Sequence, residues 1–130
     1  MGNRAVICFD EYKPDNVGIY LHWNGGRDSV EAFLEAAKRL KVPLGDPAYA
    51  LARLVQVIGN FFGGTTSVGV ETLANLDCEN GDNGVYVVDS STFEIKERKF
   101  FDGDEQEGHD LDEMVEKVVE DNPQFTRDET

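Results

Sequence analysis

The sequence predicts an α+β domain: an antiparallel sheet covered by helices on one face, with elements in the order ββααβββα. Three observations carry that expectation. Two strand patterns open the chain with only four turn residues between them, two helical patterns follow in succession, and three short strand patterns precede a last helix. The strict βα alternation of a parallel nucleotide-binding sheet is missing from the pattern. A chain of 130 residues has room for one core. A single domain over 1–121 is expected, with a disordered acidic tail at 122–130.

The first two strands are residues 4–12 and 17–23, joined by Lys13-Pro14-Asp15-Asn16, a turn short enough to imply a hairpin. In the second, Val17, Ile19, Leu21 and Trp23 alternate with Gly18, Tyr20 and His22, giving one apolar and one mixed face. A helix follows, with Asp28 as cap and Glu31 at capping-box distance, or Ser29 as the alternative cap. Its apolar side is Val30, Phe33, Leu34, Ala37 and Leu40, and Val42-Pro43 stops it. Asp46-Pro47 starts a second helix, which Gly63-Gly64 ends. Leu51, Leu54, Val55, Ile58, Phe61 and Phe62 cover more than half of its circumference, so it is expected to be central and buried on several sides. Strands at 66–72, 84–88 and 92–99 come next, with turns at 80–84 and 89–91. The last helix begins near Asp110, with Glu113 three residues on, carries the stripe Leu111, Met114, Val115, Val118 and Val119, and ends at Asn122-Pro123.

Charge is distributed unevenly. Residues 1–100 hold 14 acidic and 10 basic side chains, a balance of −4, whereas residues 101–130 hold 12 and 2, a balance of −10. The acidic positions Asp102, Asp104, Glu105 and Glu107 in a loop, and Asp112, Glu113, Glu116 and Glu120 on the last helix, form a candidate surface for a basic partner. Direct nucleic-acid binding is disfavoured, because no basic cluster is present to displace counterions from phosphates. No apolar run reaches the ~18 residues of a membrane span. The start lacks the apolar stretch of a signal peptide. Cys8 and Cys78 lie 70 residues apart, and Cys8, in an apolar run, reads as a buried small apolar side chain rather than half of a disulfide, in a reduced, cytoplasmic setting.

Asn24-Gly25-Gly26-Arg27-Asp28-Ser29 follows a strand and opens a helix, and it resembles the Ser-Gly-Gly-x-Asp-Ser loop of the PP-loop ATP pyrophosphatases. In that family glycines let backbone amides approach a phosphate at a helix N-terminus. Here Asn24 replaces the first serine, and a hairpin-paired strand departs from that family's parallel domain. An ordinary capped turn is therefore the default, and binding of an anion or nucleotide is the alternative. In that alternative Arg27 supplies charge, Trp23 or Tyr20 stacks on a base, and His22 and Asp28 complete the set. His22 and His109 have no acid or thiol at metal-site or catalytic spacing, and no nucleophile-elbow pattern supports a Ser-His-Asp enzyme. Residues 77–82 lack the sixth-position glycine and distal glutamate of a calcium loop. No cofactor, metal ligand or catalytic set is assigned.

Four segments, MGNRAVI (1–7), YLHWNGGRDSVEAFL (20–34), IGNFFGG (58–64) and NGDNGVY (80–86), resemble a group of small proteins of unassigned activity from bacterial genomes, phages and mobile elements. That setting implies a protein that acts on host machinery. The expected function is a non-enzymatic binding protein, an inhibitor of a host defence system of the anti-CRISPR or anti-restriction kind, with a basic host protein or complex as partner. A nucleotide-binding module is second and a PP-loop-like enzyme third; a homodimer through a sheet edge stays open.

Overall fold

A computed structural model describes residues 3–63, 67–101, 103, 105 and 108–123. Its elements are β1 (Ala5–Phe9), β2 (Val17–Leu21), α1 (Arg27–Arg39), α2 (Pro47–Phe62), β3 (Val68–Thr72), a short 3-10 turn (Leu73–Asn75), β4 (Val85–Val88), β5 (Ile95–Lys99) and α3 (Leu111–Glu120). The order is ββααβββα and the class α+β, as the patterning predicts. The strands form one sheet in the order β3-β2-β1-β4-β5.

The sheet is mixed, not wholly antiparallel. β1–β2, β2–β3 and β4–β5 are antiparallel, but β4 lies parallel to β1, with Val6 beside Val85 and Phe9 beside Val88. The reason lies at the start of both strands. The Arg4 backbone N–H and its Nε both donate to Asp82 Oδ2, at 3.0 and 2.8 Å. The Arg4 carbonyl accepts from the Asn83 backbone N–H at 3.1 Å and from Asn83 Nδ2 at 3.0 Å. The 80–84 turn is thereby pinned beside the entry to β1, so β4 leaves it in the direction of β1. Contacts between residues 78 apart in sequence leave no local pattern.

All three helices lie against one face of the sheet. Ala5, Ile7, Phe9, Ile19, Leu21, Tyr86 and Val88 meet Val30, Phe33, Leu54, Ile58, Val115 and Val118 in the main core. The opposite face, Val6, Cys8, Val85 and Val87, is covered by Leu73, Leu76, Cys78 and Tyr12 from connecting segments. β1 and β4 are buried on both faces, which suits central strands.

Two helices differ from expectation. In α2 only Ala50, Leu54, Val57 and Ile58 are buried; Leu51, Val55, Phe61 and Phe62 are half-buried, and Tyr49 is 61 % exposed. It lies at the side of the core with one buried face, and it ends at Gly63 in the left-handed conformation (φ 77°). In α1 the cap is Gly26 and no side chain caps the helix; Asp28 sits inside the first turn. Asn122, expected in the tail, is fully buried. Its Nδ2 donates to the carbonyls of Val57 and Val118, and its Oδ1 accepts from Asn60 Nδ2 at 2.7 Å. This side chain ties α3 to α2, so the domain runs past 121. Residues 124–130 lie outside those described.

Candidate functional site

The 24–29 turn is built into the fold at close quarters. β2 ends at Leu21, Asn24 takes a left-handed conformation (φ 58°), and Gly25 then meets β1. Gly25 N–H donates to the Asn3 carbonyl at 2.8 Å, and a Cβ here would lie 2.5 Å from that oxygen and 2.7 Å from Ala5 Cβ. Glycine is required by this approach. On its other side the Gly25 carbonyl accepts from the buried Tyr86 hydroxyl at 2.7 Å. Burial pushes that phenol well above its ordinary range.

Asp28 has a role the sequence does not show. Its Oδ2 accepts from the backbone N–H groups of Gly108 and His109, at 2.8 and 2.7 Å, and its Oδ1 from Ser29 N–H at 2.7 Å. Burial raises this carboxyl's pKa. The three backbone donors and the His109 ring together outweigh that, and hold it below the usual carboxylate range. A residue expected to cap α1 instead grips the loop leading into α3. His109 Nδ1 lies 3.3 Å from Asp28 Oδ2 and 3.5 Å from Ser29 Oγ, which also meets Asn24 Nδ2 at 3.4 Å. Serine, histidine and aspartate do meet, but both oxygens face the same ring nitrogen. A hydrolase relay uses opposite nitrogens for acid and nucleophile. No sequence signal links Asp28 with His109.

The remaining turn candidates divide between the two sides of the sheet. The Tyr20 hydroxyl is 3.1 Å from His22 Nδ1, and His22 meets Trp23 edge-on at 5.0 Å between centroids. His22 is half-buried and hydrogen-bonded, and Trp23 is 44 % exposed. Tyr20 packs on the helix-free face, whereas Arg27 belongs to α1, where its Nε holds Glu31 Oε2 at 2.6 Å. Gly25 and Gly26 are buried between them. Tyr20 and Arg27 thus lie on different sides of the sheet.

The acidic candidates separate as well. Asp112, Glu113, Glu116 and Glu120 are all exposed on α3, opposite the buried Met114, Val115 and Val118. Glu105 is turned inward: its Oε2 accepts from Arg98 Nη1 at 3.0 Å. That guanidinium lies 3.9 Å from the Tyr86 ring centroid and 3.7 Å from that of Phe101. Asp102, Asp104 and Glu107 lie outside the described residues. Beside α3 a groove of about 550 Å³ runs between α1, the start of β5 and the first turn of α3. Leu34, Phe93, Ile95, Leu111 and Val115 supply its apolar lining. Its basic members are each paired, Arg27 with Glu31, Lys38 with Glu35 and Arg39 with Glu116. Glu94 and Asp112, also in its lining, have no side-chain partner among the described residues.

Among the described residues no three His, Cys, Asp or Glu side chains gather in a way that could hold a metal ion, and no helix is long and apolar enough to cross a membrane. Comparison of the chain with protein-family models, curated proteins and solved structures finds no match.

Proposed function

We propose that this protein is a non-enzymatic binding protein that engages a basic protein partner through the acidic side of α3. The observation that carries the reading is the exposure of Asp112, Glu113, Glu116 and Glu120 on one side of a helix whose other side is anchored in the core. Such a surface attracts a basic partner over several ångströms and orients it before contact. Glu94 and Asp112, without a side-chain partner among the described residues, extend the negative charge to the adjoining groove and its apolar floor. The resemblance to proteins of phages and mobile elements favours a host defence component as that partner. The nucleotide reading of the 24–27 turn draws less support, since Gly25 N–H is engaged by Asn3 and Arg27 by Glu31. An ATP-using enzyme draws least, because β2 is antiparallel to both of its neighbours.

Capture from host lysate tests the proposal, using the wild-type chain and the double variant Glu113→Lys/Glu120→Lys. The wild type should retain a defined basic partner at low salt and release it as salt rises, and the variant should retain at least tenfold less. Capture that ignores both salt and charge reversal, or no capture at all, would sink the idea.

A further inference from the structure

The stretch of chain that holds α2 and β3 is unlike the rest of the sequence. Thirty consecutive residues, 47–76, carry two charges, Arg53 and Glu71, in a chain that is 29 % charged. These two are opposite in sign. Tyr49 of α2 is 61 % exposed, Val70 of β3 51 % and Val17 of the neighbouring β2 37 %.

β3 is also an open edge of the sheet. The bonds His22 N–H to the Ser67 carbonyl (2.9 Å) and Leu73 N–H to the Asn16 carbonyl (2.8 Å) set its alternation. The Ser67 carbonyl, the backbone groups of residues 69 and 71 and the Leu73 amide turn toward β2; Val68, Val70 and Thr72 turn theirs outward. Glu71 Oε1 takes the Thr72 N–H at 2.8 Å, leaving the Val68 and Val70 amides and the three carbonyls unpaired by any strand among the described residues. The other edge, β5, carries Lys96, Glu97, Arg98 and Lys99 in succession, the ordinary protection against edge pairing. β3 carries one charged residue, Glu71.

We propose that the protein forms a two-fold dimer in which the β3 edges of two copies pair antiparallel about Val70. A second copy fits this edge for two reasons. In that register Val70 stands opposite Val70, Val68 opposite Thr72 and Gly69 opposite Glu71, so no like charges stand directly opposite one another, and the two Glu71 side chains are only diagonal neighbours. Each Val70 exchanges two hydrogen bonds with its counterpart, and each Val68 N–H reaches the opposite Thr72 carbonyl. Two chains of net charge −14 repel each other, and an edge strand whose one charged residue is Glu71 adds little to that repulsion at the interface.

Sedimentation velocity of the wild-type chain up to about 0.2 mM, with hydrogen exchange at low and high concentration, tests the proposal. The expected species has twice the chain mass of 14.5 kDa. Its formation should strengthen between about 50 mM and about 500 mM salt as repulsion is screened, the reverse of the salt dependence of acidic-surface binding. Val70→Lys should weaken it at least tenfold, and the outward Val68 and Val70 amides should gain protection with concentration. A monomer at the top of that range overturns the proposal, as does a dimer indifferent to Val70→Lys in a variant with native circular dichroism. Should that variant not fold, the wild-type exchange data decide: a dimer whose Val68 and Val70 amides stay unprotected is not paired through β3.

Discussion

Gly25 shows how much one residue without a side chain can hold together. It lies against β1, receives the Tyr86 hydroxyl from β4 and leads into α1, so three elements meet at its backbone. An added methyl group would overlap the Asn3 carbonyl and Ala5 Cβ, neither of which can swing aside as a flexible side chain does. Gly25→Ala should therefore cost about 2–3 kcal/mol, in the upper part of the range for overpacked sites. Urea unfolding measures it, and a loss under about 0.5 kcal/mol would mean that β1 shifts freely at Asn3. The glycine pair is conspicuous in the sequence as a phosphate-loop pattern. Its packing role depends on Asn3 and Tyr86, 22 and 61 positions away, and no local spacing encodes it. The apolar run around Cys8 makes its burial legible in the sequence, and burial pushes its thiol up to about 12; Cys78 is buried too, and neither is in a disulfide.

Among elements, α3 and α1 form a useful contrast. Both begin with an aspartate three residues before a glutamate, and the sequence treats them alike. Asp110 does cap α3, its Oδ1 accepting from Glu113 N–H at 3.0 Å, while Asp28 lies within α1 and bonds across the chain to the Gly108 and His109 amides. The same residue type serves a helix end in one case and a tertiary contact in the other, because a loop docks over the N-terminus of α1. Asp110→Ala should cost about 1 kcal/mol, read as a lower denaturation midpoint with faster amide exchange in α3. Unchanged exchange there would show that packing alone holds the helix. α2 is the opposite lesson. Its apolar circumference reads as a buried helix, yet the single sheet needs only one of its faces, and the remainder stays at the surface.

For the molecule as a whole, acid stability follows from Asp28 and Asp82. Burial raises the pKa of Asp82, and Arg4, through side-chain and backbone bonds, more than reverses it; Asp28 is likewise held below the ordinary value. Carboxyls depressed in the folded state take up protons more readily once the chain unfolds. Their stabilisation is complete above the unfolded value of about 3.9 and is lost as pH falls through the folded values. The melting temperature should thus decline below pH ~4, and Asp28→Asn/Asp82→Asn should lower it at neutral pH while flattening that decline. A variant with an equally steep acid limb would place the acid sensitivity elsewhere.

The sequence by itself determined the class, the order and approximate span of the strands and α-helices, the inward side of Ile19 and Leu21 in β2, the cap of α3 and the concentration of negative charge toward the C-terminus. Each depends on residues within about a dozen positions of one another, where periodicity and turn chemistry act directly. Only the tertiary structure decided that β4 runs parallel to β1, that Asp28 and Glu105 face inward, and that α2 keeps part of its apolar surface outside. Those outcomes turn on Arg4 meeting Asp82, Asp28 meeting His109 and Arg98 lying between Tyr86 and Phe101. Such contacts join side chains that come together only after the chain has folded.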